Sequence, residues 1–268
     1  MNRALTTLRL QAAQLLSRSR GLLLPFLILL VWQLIQAHQL LPTNLLPTPS
    51  QVLQTIASLA SSGELLDHVA ITSWRVVQGF LLGALTATAL GCIAGVSPTA
   101  RHLLDPLLQS LRNIPSLAWV PLFILWLGIY EPSKVALIAV GAFFPIYLSL
   151  SEALLNVDRK LVEVGRMAGF RRPELVLRIL IPAALPEYIT GLRGSLGLAW
   201  MFVVAAEVMG ASKGLGFLLI DGQTTGRASL ILASILMFAV LGKLSDTLLW
   251  LLSHRLLLWQ DSHSLQGA

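Results

Sequence analysis

The chain is dominated by apolar runs long enough to cross a lipid bilayer. Taking about 20 apolar residues per crossing, such runs lie near residues 22–38, 69–96, 113–130, 134–155, 190–210 and 229–252. Backbone polar groups in hydrocarbon must be satisfied within the chain, so runs of this length fold as helices. Composition agrees: 55% of the 268 residues are hydrophobic and only 12% charged, against about 25% charged in soluble domains. The expected fold class is therefore all-α, a polytopic membrane protein of about six transmembrane helices. One membrane domain, residues 22–255, is expected between a basic leader, 1–21, and a tail, 256–268.

The basic residues set the topology. Fourteen Lys and Arg fall on one side of the alternating spans, and four, Arg75, Lys134, Lys213 and Arg227, on the other. The positive-inside rule then predicts both termini in the cytoplasm. The net charge of +6 is explained by these flanks and gives no reason to expect nucleic acid. Arg3 to Arg20 followed by an apolar run imitates a secretory signal, but no convincing small-x-small site follows, and Trp32 and Gln33 interrupt the run. A retained first span is expected. Between spans one and two, Pro42, Pro47 and Pro49 punctuate the chain, and Ser50 is the expected N-cap of a short surface helix, Gln51 to Ser61. Span two carries Gly79, Gly83, Ala87, Gly91 and Gly95 at intervals of four, a small-residue face on which another helix can pack closely.

Catalytic constellations are missing from the pattern. The five histidines, His38, His68, His102, His254 and His263, make no i, i+4 ligand pair, so neither a metal site nor a catalytic site is expected. The lone Cys92 allows no disulfide within the chain. Gly210-Ala-Ser-Lys-Gly-Leu-Gly216 lacks the phosphate-loop spacing and reads as a tight turn, so no nucleotide or other cofactor is expected. Glu207, Lys243 and Asp246 do fall in or near spans, where ionisable groups are costly and must pair, face the bundle interior or reach water. Lys243 and Asp246, three apart, can neutralise each other as an intramembrane ion pair or contact a substrate. Glu207 fits a role in fixing the outer loop or gate, or structural hydrogen bonding. Leu111-Arg-Asn-Ile-Pro115 opens span three, with Trp119 one turn on. Asn113, Pro115 and Trp119 are candidates for an anion path, or for plain helix punctuation.

Between Asp158 and Arg178, nine of 21 residues are charged, the densest polar stretch in the chain. Leu161, Val164 and Ala168 still form one helical stripe, and Leu175 with Ile179 the next. Gly169 suits a helix stop and Pro173-Glu174 a fresh start, with a break at Pro182 and Pro186 before span five. This spacing predicts a two-helix elbow, a docking surface more than a tether.

Glu163, Gly169, then Ile179-x-Ile181-Pro182 resembles the E-A-A…G…I-x-L-P loop of ABC importer permeases, with Val164-Gly165 where two alanines are usual and Ile181 in place of leucine. Leu46-Pro-Thr-Pro49, Leu111-Arg-Asn-Ile-Pro115, Pro121 to Gly128, Phe144-Pro-Ile-Tyr147, Gly191-Leu-Arg193, Ala205-Ala-Glu207 and Gly242 to Asp246 are similar to the nitrate, sulfonate and taurine branch, most of all to its aliphatic sulfonate permeases. The resemblance implies a type I ABC importer permease fold in the inner membrane. It also implies a second copy of the chain, two cytoplasmic ABC ATPase subunits that hydrolyse the ATP, and a periplasmic substrate-binding protein. Residues 156–186 would be the coupling loop, with Glu163, Gly165, Gly169, Ile179 and Pro182 its ATPase-coupling residues. A secondary carrier would instead need its own coupling-ion site and usually inverted repeats, and a membrane enzyme a convergent polar site; neither pattern is visible.

Overall fold

The computed structural model describes residues 23–257, so the expected leader and nearly all of the expected tail lie outside the described residues. Every element among the described residues is helical. The chain divides into two compact units, one holding residues up to Leu65 with Ile220–Ala233, the other Leu66–Leu219 with Ser234 onward.

In the first unit, α1 (Leu23–Ala37) precedes a proline-rich loop and α2 (Pro49–Ser61). Trp32 Nε1 on α1 donates to the Pro47 carbonyl at 2.9 Å, anchoring the loop. The N-cap of α2 is Thr48 rather than the expected Ser50. Gln51 N donates to Thr48 Oγ1, and Thr48 N donates to Gln51 Oε1 at 2.9 Å. This reciprocal capping box fixes the start, and Pro49 takes the first helical position, where its missing N–H costs nothing.

Among the described residues, four helices are long and apolar enough to cross a membrane: α3 (Glu64–Val96), α6 (Glu131–Leu155), the run Arg172–Val208, and Ala228–Ser253, which forms most of α11 (Ala228–Leu256). The expected third span, 113–130, is not one helix. Leu111 to Asn113 closes an unforeseen helix, α4 (Pro98–Arg112), instead of opening a span. Ser97 caps α4 and Pro98 leads it. Its leucines divide, with Leu108 in the core beside Leu104 while Leu103 and Leu107 face outward. After Pro115 comes a 3-10 turn, Ser116–Ala118, and then α5 (Trp119–Leu127). Its nine residues rise only about 14 Å, too short to span the roughly 30 Å hydrocarbon core. Gly128, at φ 74°, ends it.

The small-residue face of α3 does what its spacing predicts. A Cβ on Gly79 would strike Ile138, on Gly83 the Ala139 carbonyl, on Gly91 Leu150 and on Gly95 Leu154. Both partners advance together by sixteen residues, so α3 and α6 run parallel in contact over about 24 Å. α6 in turn packs against α9 (Ile181–Val208). Here Gly141 lies under the Phe202 ring and Gly191 against Ser149, a close approach made by one glycine on each helix.

Candidate functional site

Three places stand out in the second unit. The first is an elbow before α9. Asp158 caps α7 (Arg159–Met167) through its Oδ1, which accepts from Lys160 N at 2.9 Å. Gly169, at φ 81°, ends α7 in a left-handed conformation that favours glycine. Its N–H donates to Arg166 O, and Phe170 N donates to Gly165 O, both at 3.0 Å; these are the two bonds of a Schellman motif. α8 (Arg172–Leu175) starts as Pro173-Glu174 predicts, with Glu174 accepting from Arg171 N at 2.9 Å. The expected break at Pro182 and Pro186 is absent. The helix runs on through a π turn, Val176–Leu180, into α9, with Pro182 in its first turn and Pro186 inside it. A wider turn relieves the clash of a proline ring with the preceding carbonyls, so the helix bends its hydrogen-bond pattern without stopping.

Gly165 proves to be a packing residue. A Cβ there would overlap Ile179 and Leu175 side chains, so its absence is what lets α7 close on the π turn. Glu163 pairs with Arg159 at 2.9 Å on the exposed side. Arg178 lies over the Phe170 ring at 5.3 Å, a cation–π contact that braces the turn. Outside this internal packing, Leu161, Val164, Met167 and Leu177 stay exposed, Met167 by 88%.

The second place is a chamber of about 500 Å³ between the 112–119 segment, α6 and α9. It brings together Asn113, Pro115 and Trp119 and adds Arg112, Phe144 and Phe202, which the sequence did not single out for this role. Glu207, grouped with the first three in the sequence reading, does not line it.

Glu207 instead anchors the third place, a buried lock at the opposite end of α9 from the elbow. The 28 residues of α9 separate the two ends by about 42 Å. The Glu207 side chain is wholly buried. It accepts from Arg75 Nη1 at 2.7 Å, from Thr72 Oγ1 at 2.8 Å and from Gly216 N at 2.7 Å. Arg75 also forks onto Glu131, with Nε and Nη2 each donating at 2.6 Å, and Nη1 donates to Lys213 O at 2.7 Å. Leu215 N donates to Thr72 Oγ1 and Gly214 N to His68 Nδ1, at 2.8 and 2.9 Å. Thus the first N–H groups of α10 (Leu215–Thr224), which no helical carbonyl can serve, are capped by α3 and α9 side chains. His68, Thr72 and Arg75, spaced by four and three, present one face to that loop. Arg75, counted above only as an outer-side charge, lies within the apolar run 69–96, and that is the signal that could have found this lock, since a charge in such a run needs a partner.

Asp246 makes the expected ion pair with Lys243 but has a closer partner that the sequence did not reveal. Lys243 reaches it only at 3.8 Å and is mostly exposed. Its main partner is Arg193 on α9, with Nε and Nη2 donating to the two carboxylate oxygens at 2.9 and 3.0 Å. A planar guanidinium matches both oxygens, where an ammonium three residues away on the same helix meets one at a distance. Trp200 Nε1 donates to Ser245 Oγ at 2.8 Å, a further α9–α11 tie. No cluster of three or more His, Cys, Asp or Glu able to hold a metal occurs among the described residues.

Residues 79–258 match the family model described as the binding-protein-dependent transport system inner membrane component. A Bacillus subtilis permease named for aliphatic sulfonates transport, SsuC, is 43% identical over 244 residues, covering 91% of this chain and 88% of its own. Its Escherichia coli namesake is 39% identical over 245 residues, covering 91% and 93%. The solved MetNI methionine ABC transporter, in inward-facing conformations, matches with a TM-score of 0.61 at 20% identity, covering 72% of this chain and 94% of that one; the likeness is one of fold.

Proposed function

The chain belongs to the family of binding-protein-dependent transport system inner membrane components, and from that premise we propose that it carries aliphatic sulfonates as the permease subunit of an ATP-driven importer. It is a multi-pass inner-membrane protein with the type I importer fold. The observation that carries the substrate is its identity, across nine-tenths of the chain, to two relatives named for aliphatic sulfonates.

The elbow supports the mechanism. In this reading both termini and residues 156–186 face the cytoplasm, two copies of the chain form the bundle, and two ATPase subunits hydrolyse the ATP. Glu163, Gly165, Gly169, Ile179 and Pro182 shape the elbow, whose exposed Val164 and Met167 enter a groove on the ATPase. Closure of the ATPases moves the elbows and, through the continuous helix from α8 to α9, rocks the bundle so that a periplasmic binding protein can deliver its cargo. The chamber at Asn113, Pro115 and Trp119 lies on the path, and Glu207 holds the outer loop against which the path closes. Residues 22–255 act as one permease domain.

The test is uptake by proteoliposomes holding the permease, its ATPase and a panel of loaded binding proteins. Import of ethanesulfonate, dependent on ATP and on the sulfonate-loaded binding protein, is expected. Stimulation only by a nitrate- or taurine-loaded binding protein would move the chain to another branch. Accumulation by the permease alone under an ion gradient would make it a secondary carrier.

A further inference from the structure

The chamber between the 112–119 segment and helices α6 and α9 combines apolar walls with one cation and one amide. Its volume of about 500 Å³ falls among small-molecule sites, roughly 300–1,000 Å³. Trp119, Phe144, Leu148 and Phe202 give it apolar walls, Arg112 and Asn113 supply a cation and an amide, and no carboxylate among the described residues lines it. Four acidic groups are engaged elsewhere: Glu131 and Glu207 by Arg75, Asp246 by Arg193, and Asp105 by the Tyr147 hydroxyl at 2.6 Å.

Resting on the sulfonate reading above, the geometry points to this chamber as a second selectivity site, inside the permease, for an anion with an apolar tail. Arg112 and Asn113 hold the sulfonate head by charge-assisted hydrogen bonds, and the tail lies along Trp119, Phe144, Leu148 and Phe202. A tail ending in an ammonium is rejected. It would lose its hydration among apolar walls, find no carboxylate, and share the chamber with a guanidinium. Tail burial is worth about a fourfold gain in affinity per methylene.

Equilibrium binding to the permease–ATPase complex in nanodiscs, without binding protein, tests this directly. The probes are straight-chain alkanesulfonates of one to six carbons and their ω-amino counterparts. Affinity is expected to rise about fourfold per methylene until the chamber is filled, with each ω-amino compound at least about tenfold weaker than its alkane partner. Arg112→Gln weakens all of them about tenfold or more. Leu148→Glu, on the wall along which the tail lies, supplies the missing carboxylate, so it lowers binding of plain sulfonates and restores binding of the ω-amino series, a gain that misfolding cannot produce. No binding, affinity indifferent to tail length and to the ammonium, or indifference to both variants overturns the proposal. If the complete transporter still imports alkanesulfonates under those results, the sulfonate reading stands and only the chamber falls. If it imports none, that reading falls too.

Discussion

The two ends of α9 treat charge in opposite ways. At the lock, Glu207, Arg75 and Thr72 are buried and bond one another, with Arg75 also forking outward onto the exposed Glu131. At the elbow, Arg159 and Glu163 pair in solvent, and the apolar side chains of Val164 and Met167 remain uncovered. A buried ion pair is worth little against an apolar alternative but costs heavily when one partner is removed, so the lock specifies one arrangement of its loop. An exposed ion pair contributes under about 1 kcal/mol, and exposed apolar surface on a polar segment marks an interaction site. One end is held by its own bonds, and the other leaves apolar side chains uncovered, as the proposed docking requires.

The largest effect should come from breaking the lock. Glu207→Ala leaves Arg75 half paired, and Thr72 and Gly216 N without their acceptor. A loss of about 3–5 kcal/mol in stability is expected, read as a lower thermal midpoint in detergent, with the affinity for the ATPase unchanged in whatever folds. Next comes Gly165→Val. Its side chain must displace Ile179 and Leu175, an overpacking cost of about 1–3 kcal/mol, and here ATPase affinity should fall along with stability. The smallest effect separates the two cations near Asp246. Arg193→Ala removes a bidentate pair and should cost about 1 kcal/mol in unfolding measurements, while Lys243→Ala should stay within about 0.5 kcal/mol. Equal effects would restore Lys243 as the main partner.

The parts legible in sequence were those governed by local rules. The small-residue ladder of α3, the Gly169 stop and the Pro173-Glu174 start follow from spacing and backbone sterics, and the structure reproduces each. What escaped depended on long-range geometry. Glu207 meets partners 132 and 135 residues away, which no local pattern reveals, although an arginine within an apolar run announces that a partner exists. Apolar content alone does not separate a full span from α5, because hydropathy counts residues and ignores the breaks at Pro115 and Gly128. Pro182 looked like a break because proline removes one hydrogen bond, but a π turn absorbs that loss within a continuous helix. Asn113, Pro115 and Trp119 do share a wall of the chamber, yet its apolar lining from α6 and α9 is set by helix packing.

The claim that the elbow is where energy enters is tested most directly by the affinity of the ATPase subunit for the permease in nanodiscs, comparing wild type with Glu163→Arg and Met167→Asp. Both positions are exposed, so neither variant should lower the thermal midpoint measurably. A loss of tenfold or so in ATPase affinity, with ATP-driven import falling in step, is the predicted result. ATPase binding and import at wild-type levels in both variants would contradict it.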